Sequence, residues 1–139
     1  MSSKVYSQEE RLMAALSHGS IMVSGMGIVV AAVVWLTQKE KYPYAAEQAK
    51  QATVYQILTM GFVVISWLVW TVLFTGILFA SLNSNPEALE SGPGFLFITF
   101  SWIIPLLLMG IMWLYGIWGA VRTWQGRDFR YALISRVIS

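Results

Sequence analysis

His18 is the only histidine in the chain, and it stands one helical turn after Ala14. A small residue at that spacing leaves room for a macrocycle beside the imidazole. His18 is therefore a candidate axial ligand for a bacteriochlorophyll. The other reading is a polar side chain near a membrane interface, bonded to a backbone carbonyl, to water or to a glutamate. A proton relay is a third, since ionisable groups within a bilayer tend to be functional. It lacks a partner, because Glu9 and Glu10 lie two turns or more away. One histidine cannot supply both axial ligands of a haem, and a chain without cysteine holds no iron–sulfur cluster. With seven acids, a metal centre would be mostly carboxylate. Those acids are too scattered for paired-carboxylate catalysis. No Ser–His–Asp set and no glycine-rich phosphate loop after a strand is present. These residues predict no enzyme, no metal site and no resident cofactor beyond a contact with bacteriochlorophyll or a carotenoid.

The elements that position these residues follow from hydropathy. Of 139 residues, 57% are hydrophobic and 12% charged. A soluble domain carries about 25% charged residues. The deficit indicates an integral membrane protein, all-α, folded as a helical bundle. A net charge of +2 gives no reason to expect nucleic acid. The N-terminal MSSKVYSQEER lacks the basic-then-apolar order of a cleaved signal, so the chain is expected to be mature and self-inserting. Spanning a bilayer takes about 20 apolar residues. Three stretches free of Asp, Glu, Lys and Arg are long enough: residues 12–38, 51–86 and 91–121. The expected organisation is a single membrane domain. It has an N-terminal hydrophobic hairpin or span (9–38), a loop and helix entrance (39–56), a span (57–82), an extracytoplasmic loop (83–94), a span (95–121) and a cytoplasmic amphipathic tail (122–139). Pro105 should kink the third stretch, and a neighbour can satisfy the carbonyl it frees. Gly126 breaks the chain after it. Phe129, Leu133, Ile134, Val137 and Ile138 then recur at helical spacing, which predicts an interfacial C-terminal helix.

The first stretch admits two forms. As one helix, residues 9–36 would extend roughly 42 Å, enough to cross a core of about 30 Å. As a re-entrant hairpin bent in the cluster Ser24-Gly25-Met26-Gly27, each half would reach only about 21 Å. The hairpin places all nine basic residues on one side; the single span leaves Lys4 and Arg11 opposite the other seven. Basic residues concentrate on the cytoplasmic side. That places the C-terminus in the cytoplasm of a multi-pass protein of the bacterial inner membrane.

Helix packing is expected at Ser20, Ser24, Gly116 and Ala120, small residues four apart in pairs. Gln48, Gln51, Tyr55 and Gln56 could bond across helices or line a polar cleft facing the cytoplasm. Arg122, Arg127, Arg130 and Arg136 could hold lipid headgroups, at about 1 kcal/mol for each basic residue near the surface. Trp35, Trp102 and Trp124 mark interfaces. Trp67, Trp70, Trp113 and Trp118 lie deeper, in packing, lipid or carotenoid contact.

Four segments, ERLMAALSH (10–18), WLTQKE (35–40), AEQAKQATVYQI (46–57) and GAVRTWQGRDFRYAL (119–133), together resemble small bacterial membrane proteins of the Tic-twenty-like family. That family is named for a channel-like subunit of the chloroplast import translocon. The resemblance implies a helical membrane bundle with both termini cytoplasmic and no catalytic residues. Ala132 stands where the family usually has proline. Three functions are expected in turn: a non-enzymatic accessory or scaffold subunit packed against other integral membrane subunits and lipid, a channel- or translocon-like component, and a pigment-binding subunit using His18.

Overall fold

The structure is a computed structural model, and it describes residues 6–23, 25–85, 87, 92–132 and 134. Among these residues the regular elements are all helical. In chain order they are α1 (Gln8–Gly19), a short 3-10 turn (Ser20–Val23), α2 (Gly25–Thr37), α3 (Pro43–Ser84), α4 (Gly92–Phe100) and α5 (Ile103–Trp124). Contacts divide the chain into two units, one drawn from residues 1–60 and 112–139, the other from 61–111.

The first unit begins with a capping box. Ser7 Oγ accepts from the Glu10 amide at 3.2 Å, and the Ser7 amide donates to Glu10 Oε2 at 3.1 Å. Two of the orphan donors at the start of α1 are satisfied this way. After Gly19 the chain reverses. In a straight helix Ser20 and Gly27 would be about 10.5 Å apart along the axis. Here Ser20 Oγ lies 3.0 Å from Gly27 O, and a Cβ on Gly27 would stand 2.1 Å from Ser20 O. The far ends meet as well, since the Tyr42 hydroxyl donates to the Glu9 carboxylate. Residues 8–37 thus form a helical hairpin, and the single straight span over 9–38 is excluded. Ser24, expected at the bend and at a packing face, lies outside the described residues.

α3 packs against this hairpin by its N-terminal part. Ala45, Ala49 and Ala52 are fully buried, at a spacing that puts them on one helix face. Their small side chains allow close approach. α5 ends in a Schellman motif. The Gly126 amide donates to Thr123 O and the Arg127 amide to Arg122 O, at 2.9 and 3.1 Å. Gly126 has φ +73°, a conformation that glycine adopts without strain.

Among the described residues beyond Gly126, 127–132 and 134, no helical turn of the expected interfacial helix forms. The described tail residues are irregular, and Phe129, Tyr131 and Ile134 turn inward to form a buried cluster with Val54 and Tyr55 against it. Phe129 and Tyr131 are two apart, so an extended backbone directs both to one side, which a helix would not. Leu133, Val137 and Ile138 lie outside the described residues.

In the second unit, residues 61–84 of α3 are almost wholly apolar and exposed. Two helical stretches, Pro43–Ser84 and Gly94–Trp124, are long and apolar enough to cross a membrane. The latter is interrupted at Ser101 and Trp102, between α4 and α5. Pro105 has no N–H for the carbonyl four residues back, which is that of Ser101. Trp70 Nε1 donates to this carbonyl at 3.1 Å. The break is therefore answered by a neighbouring helix, as the sequence predicts. Trp67, Trp70, Phe74 and Trp102 pack their rings around it.

Gly27→Ala should open the hairpin, because its Cβ would also meet Gln56 Oε1 at 2.9 Å. Overpacking of this kind costs about 1–3 kcal/mol. Gly25→Ala meets only Met60 Cε at 3.9 Å and should change stability by less than about 0.5 kcal/mol. Thermal unfolding in mild detergent compares the two. Equal midpoints would refute the crowding at Gly27.

Candidate buried histidine site and adjoining cleft

His18 sits in the last turn of α1 and is fully buried. Nε2 lies 3.1 Å from Gln48 Oε1, and Nδ1 lies 2.9 Å from the Tyr131 hydroxyl. An amide oxygen can only accept, so Nε2 carries the proton and Nδ1 accepts from Tyr131. The pair of bonds fixes one neutral tautomer. It also links α1 to α3 and to the tail, 30 and 113 residues away in sequence. Phe129 meets the imidazole edge-on, and Tyr131 stacks on Tyr55 with ring centroids 3.9 Å apart. The Tyr55 hydroxyl in turn donates to Met112 O at 2.9 Å. A side chain at Gly119 would strike the Phe129 ring at 2.8 Å, so the tail can dock only over a glycine.

A second polar group adjoins the hairpin bend. Gln56 Nε2 donates to Ser17 O at 2.9 Å and to Ser20 Oγ at 3.1 Å. Ser20 Oγ itself lies within reach of Ser17 O and Gly27 O. Gln56 Oε1 and Gln51 Oε1 are buried without a donor.

Next to Gln48 a cleft of about 410 Å³ opens between the start of α1, the start of α3 and the tail. Glu10, Glu47, Asp128 and Arg130 line it together with Tyr6, Tyr44 and Gln51. The Tyr6 and Tyr44 rings stack 3.7 Å apart.

Both ring nitrogens of His18, the residue expected to meet a pigment, are engaged within the chain. Of the expected packing residues, Ser20 is buried at the bend. Ala120 faces Gly19, and Gly116 faces Ile21, so both pack within this chain. Of the expected headgroup residues, Arg127 and Arg130 are exposed and Arg122 is half-buried, while Arg136 lies outside the described residues. Gln48, Gln51, Tyr55 and Gln56 do come together around α1 and the tail. Tyr131, Phe129, Gly119 and the Tyr6–Asp128 contact were not singled out as site residues. The alternation of Phe129 and Tyr131 after a glycine stop was the signal for two of them. Among the described residues, no group of three or more His, Cys, Asp or Glu is placed to hold a metal ion.

Burial lowers the His18 pKa from 6.5 to about 4, with the Gln48 hydrogen bond opposing the shift. Burial also raises the pKa of Tyr131, which stays protonated and able to donate. Unfolded chains protonate this histidine near pH 6.5, so its contribution is complete above that pH. It is lost progressively as pH falls to about 4, a window worth roughly 3 kcal/mol. Thermal unfolding of the wild type should therefore approach that of His18→Gln between pH 7 and pH 4. Parallel curves across this window would show that the ring is not held neutral. Tyr131→Phe should cost about 1–3 kcal/mol by leaving Nδ1 unsatisfied.

Comparison with known proteins gives the chain its relatives. No curated protein and no solved structure matches it. Residues 9–138 match the MamF/MmsF family, described as the magnetosome magnetite crystal formation protein family. All four segments that resemble the Tic-twenty-like family lie within this match, and the match overturns that assignment. The shared features were polar helix entrances and arginine-flanked ends, which small helical membrane proteins need whatever their lineage. With nearly its whole length covered, the chain belongs to the magnetosome magnetite crystal formation protein family, MamF/MmsF.

Proposed function

We propose that this protein is a non-enzymatic accessory subunit of the magnetosome membrane that takes part in magnetite crystal formation. The family match over residues 9–138 is the observation that carries the reading. The chemistry of the chain supports it. Two long helical stretches expose apolar side chains such as Leu68, Val72, Ile104 and Leu107. Apolar surface on this scale belongs in lipid rather than in water. His18, the one candidate catalytic base, is buried and neutral with both nitrogens bonded.

The same reading gives an orientation. The helices cross the bilayer with residues 57–82 and 95–121, and the hairpin and tail remain on one face. All nine Lys and Arg lie outside residues 51–121, whereas Glu87 and Glu90 are the charged residues of the 83–94 connection. The positive-inside rule puts the basic side in the cytoplasm. In this arrangement α2, at 13 residues, does not traverse the bilayer. It is too short for a core of about 30 Å, so it enters and leaves from the cytoplasmic side. The accessory role follows from the exposed apolar faces of the spans, which suit contact with lipid and with other membrane subunits.

The absence of cysteine makes topology simple to test. In isolated magnetosomes, Lys39→Cys and Gln125→Cys should react with an impermeant maleimide, and Glu87→Cys only after detergent is added. The reverse pattern would invert the orientation. Deletion of the gene should alter the size or number of magnetite crystals seen by electron microscopy. An unchanged crystal population would remove the role in crystal formation.

A further inference from the structure

The cleft beside Gln48 has a composition that the fold does not require. Glu10, Glu47 and Asp128 line it with a single guanidinium, that of Arg130. Three carboxylates against one cation leave its lining net negative. Glu10 Oε2 is taken by the helix cap and Asp128 Oδ1 by the Tyr6 hydroxyl at 3.3 Å. Glu47 meets only Gln51 Nε2, at 3.5 Å. Among the described residues, none of the three carboxylates forms an ion pair.

Gln51 supplies an independent observation. It is 4% exposed and lines the cleft, yet its Oε1 has no donor. A buried amide oxygen left without a donor costs about 1–3 kcal/mol. Only the long contact to Glu47 holds this amide, and the terminal torsion of glutamine is soft. The side chain can therefore turn its oxygen to a donor that enters the cleft.

The occupant implied is a cation carrying several N–H donors. A bare metal ion fits poorly, because no three of the His, Cys, Asp and Glu side chains among the described residues come close enough to hold one. The volume, about 410 Å³, is that of a small-molecule site rather than an ion site. The stacked Tyr6 and Tyr44 rings offer an aromatic wall, which attracts organic cations. We propose that this cleft binds an alkylammonium group, with the carboxylates of Glu47 and Asp128 and the carbonyl oxygen of Gln51 as its acceptors. The group comes either from a free small amine or from a lysine side chain of a partner protein. This inference does not rest on the role in magnetite formation.

The test uses the full chain purified in dodecyl maltoside, with titration calorimetry at low salt. Putrescine and N-acetyl-lysine amide are the probes; butyrate and Mg²⁺ are the controls. At least one amine should bind, and more weakly as salt is raised. Binding of putrescine alone identifies a free amine, and binding of the lysine derivative identifies a peptide side chain. Glu47→Gln and Asp128→Asn should each weaken binding about tenfold, as expected for loss of a charge-assisted hydrogen bond. Arg130→Gln should tighten binding by about threefold, by removing a like charge. A structural role for Arg130 would not produce that sign. No binding of either amine, unchanged affinity in Glu47→Gln, or displacement of the amine by equimolar Mg²⁺ would overturn the proposal.

Discussion

The fold of the first unit turns on the burial of one imidazole. A ring with two polar nitrogens cannot be taken out of solvent unless both find partners. His18 finds one on α3 and one on the tail. Neither partner is near it in sequence, so satisfying the ring also brings three distant segments together. The requirement spreads outward from there. Tyr131 must be held at hydrogen-bonding distance, which its stack on Tyr55 provides. Phe129 must pass over α5 where there is no Cβ, which Gly119 provides. The tail must leave α5 sharply, which the left-handed Gly126 provides.

A second constraint recurs in both units. Wherever a helix is broken, carbonyls lose their internal donors, and an apolar environment offers none in exchange. At the hairpin bend, Ser17 O in the last turn of α1 is answered by Ser20 Oγ and by Gln56 Nε2. At the α4–α5 break, Ser101 O is answered by Trp70 Nε1. Both repairs draw on a side chain of α3. Gln56 meets the interrupted backbone of the first unit and Trp70 that of the second.

This economy explains what was legible in the sequence. Apolar runs and charge-free lengths marked the two long helical stretches. Pro105 announced its break, and the distribution of Lys and Arg favoured the hairpin. What stayed hidden was pairing over long sequence distances. His18 has the same local surroundings whether its partner is a pigment, a water or Tyr131. The tail misled for a different reason. Phe129, Leu133 and Ile134 satisfy a helical period, but Phe129 and Tyr131 equally satisfy an extended one. Local pattern could not decide between them, whereas the open position over Gly119 and the unpaired Nδ1 of His18 did. Family resemblance read from polar segments failed on similar ground, since those segments express the needs of membrane insertion as much as descent.

The two polar features of the first unit respond to conditions in opposite ways. The His18 lock is buried and neutral, and its lowered pKa keeps it so at any pH near 7. Dissolved salt reaches it little, because screening acts on charges in contact with water. The cleft is lined by charges that are open to solvent, and its field varies with ionic strength. Yet the two are adjacent, for Gln48 both accepts from His18 and lines the cleft. A rigid, uncharged network thus backs a charged and adaptable opening. Gln51, one helical turn along from Gln48, lines the same cleft. The pH-sensitive lock and the salt-sensitive cleft therefore draw on neighbouring residues of a single helix face.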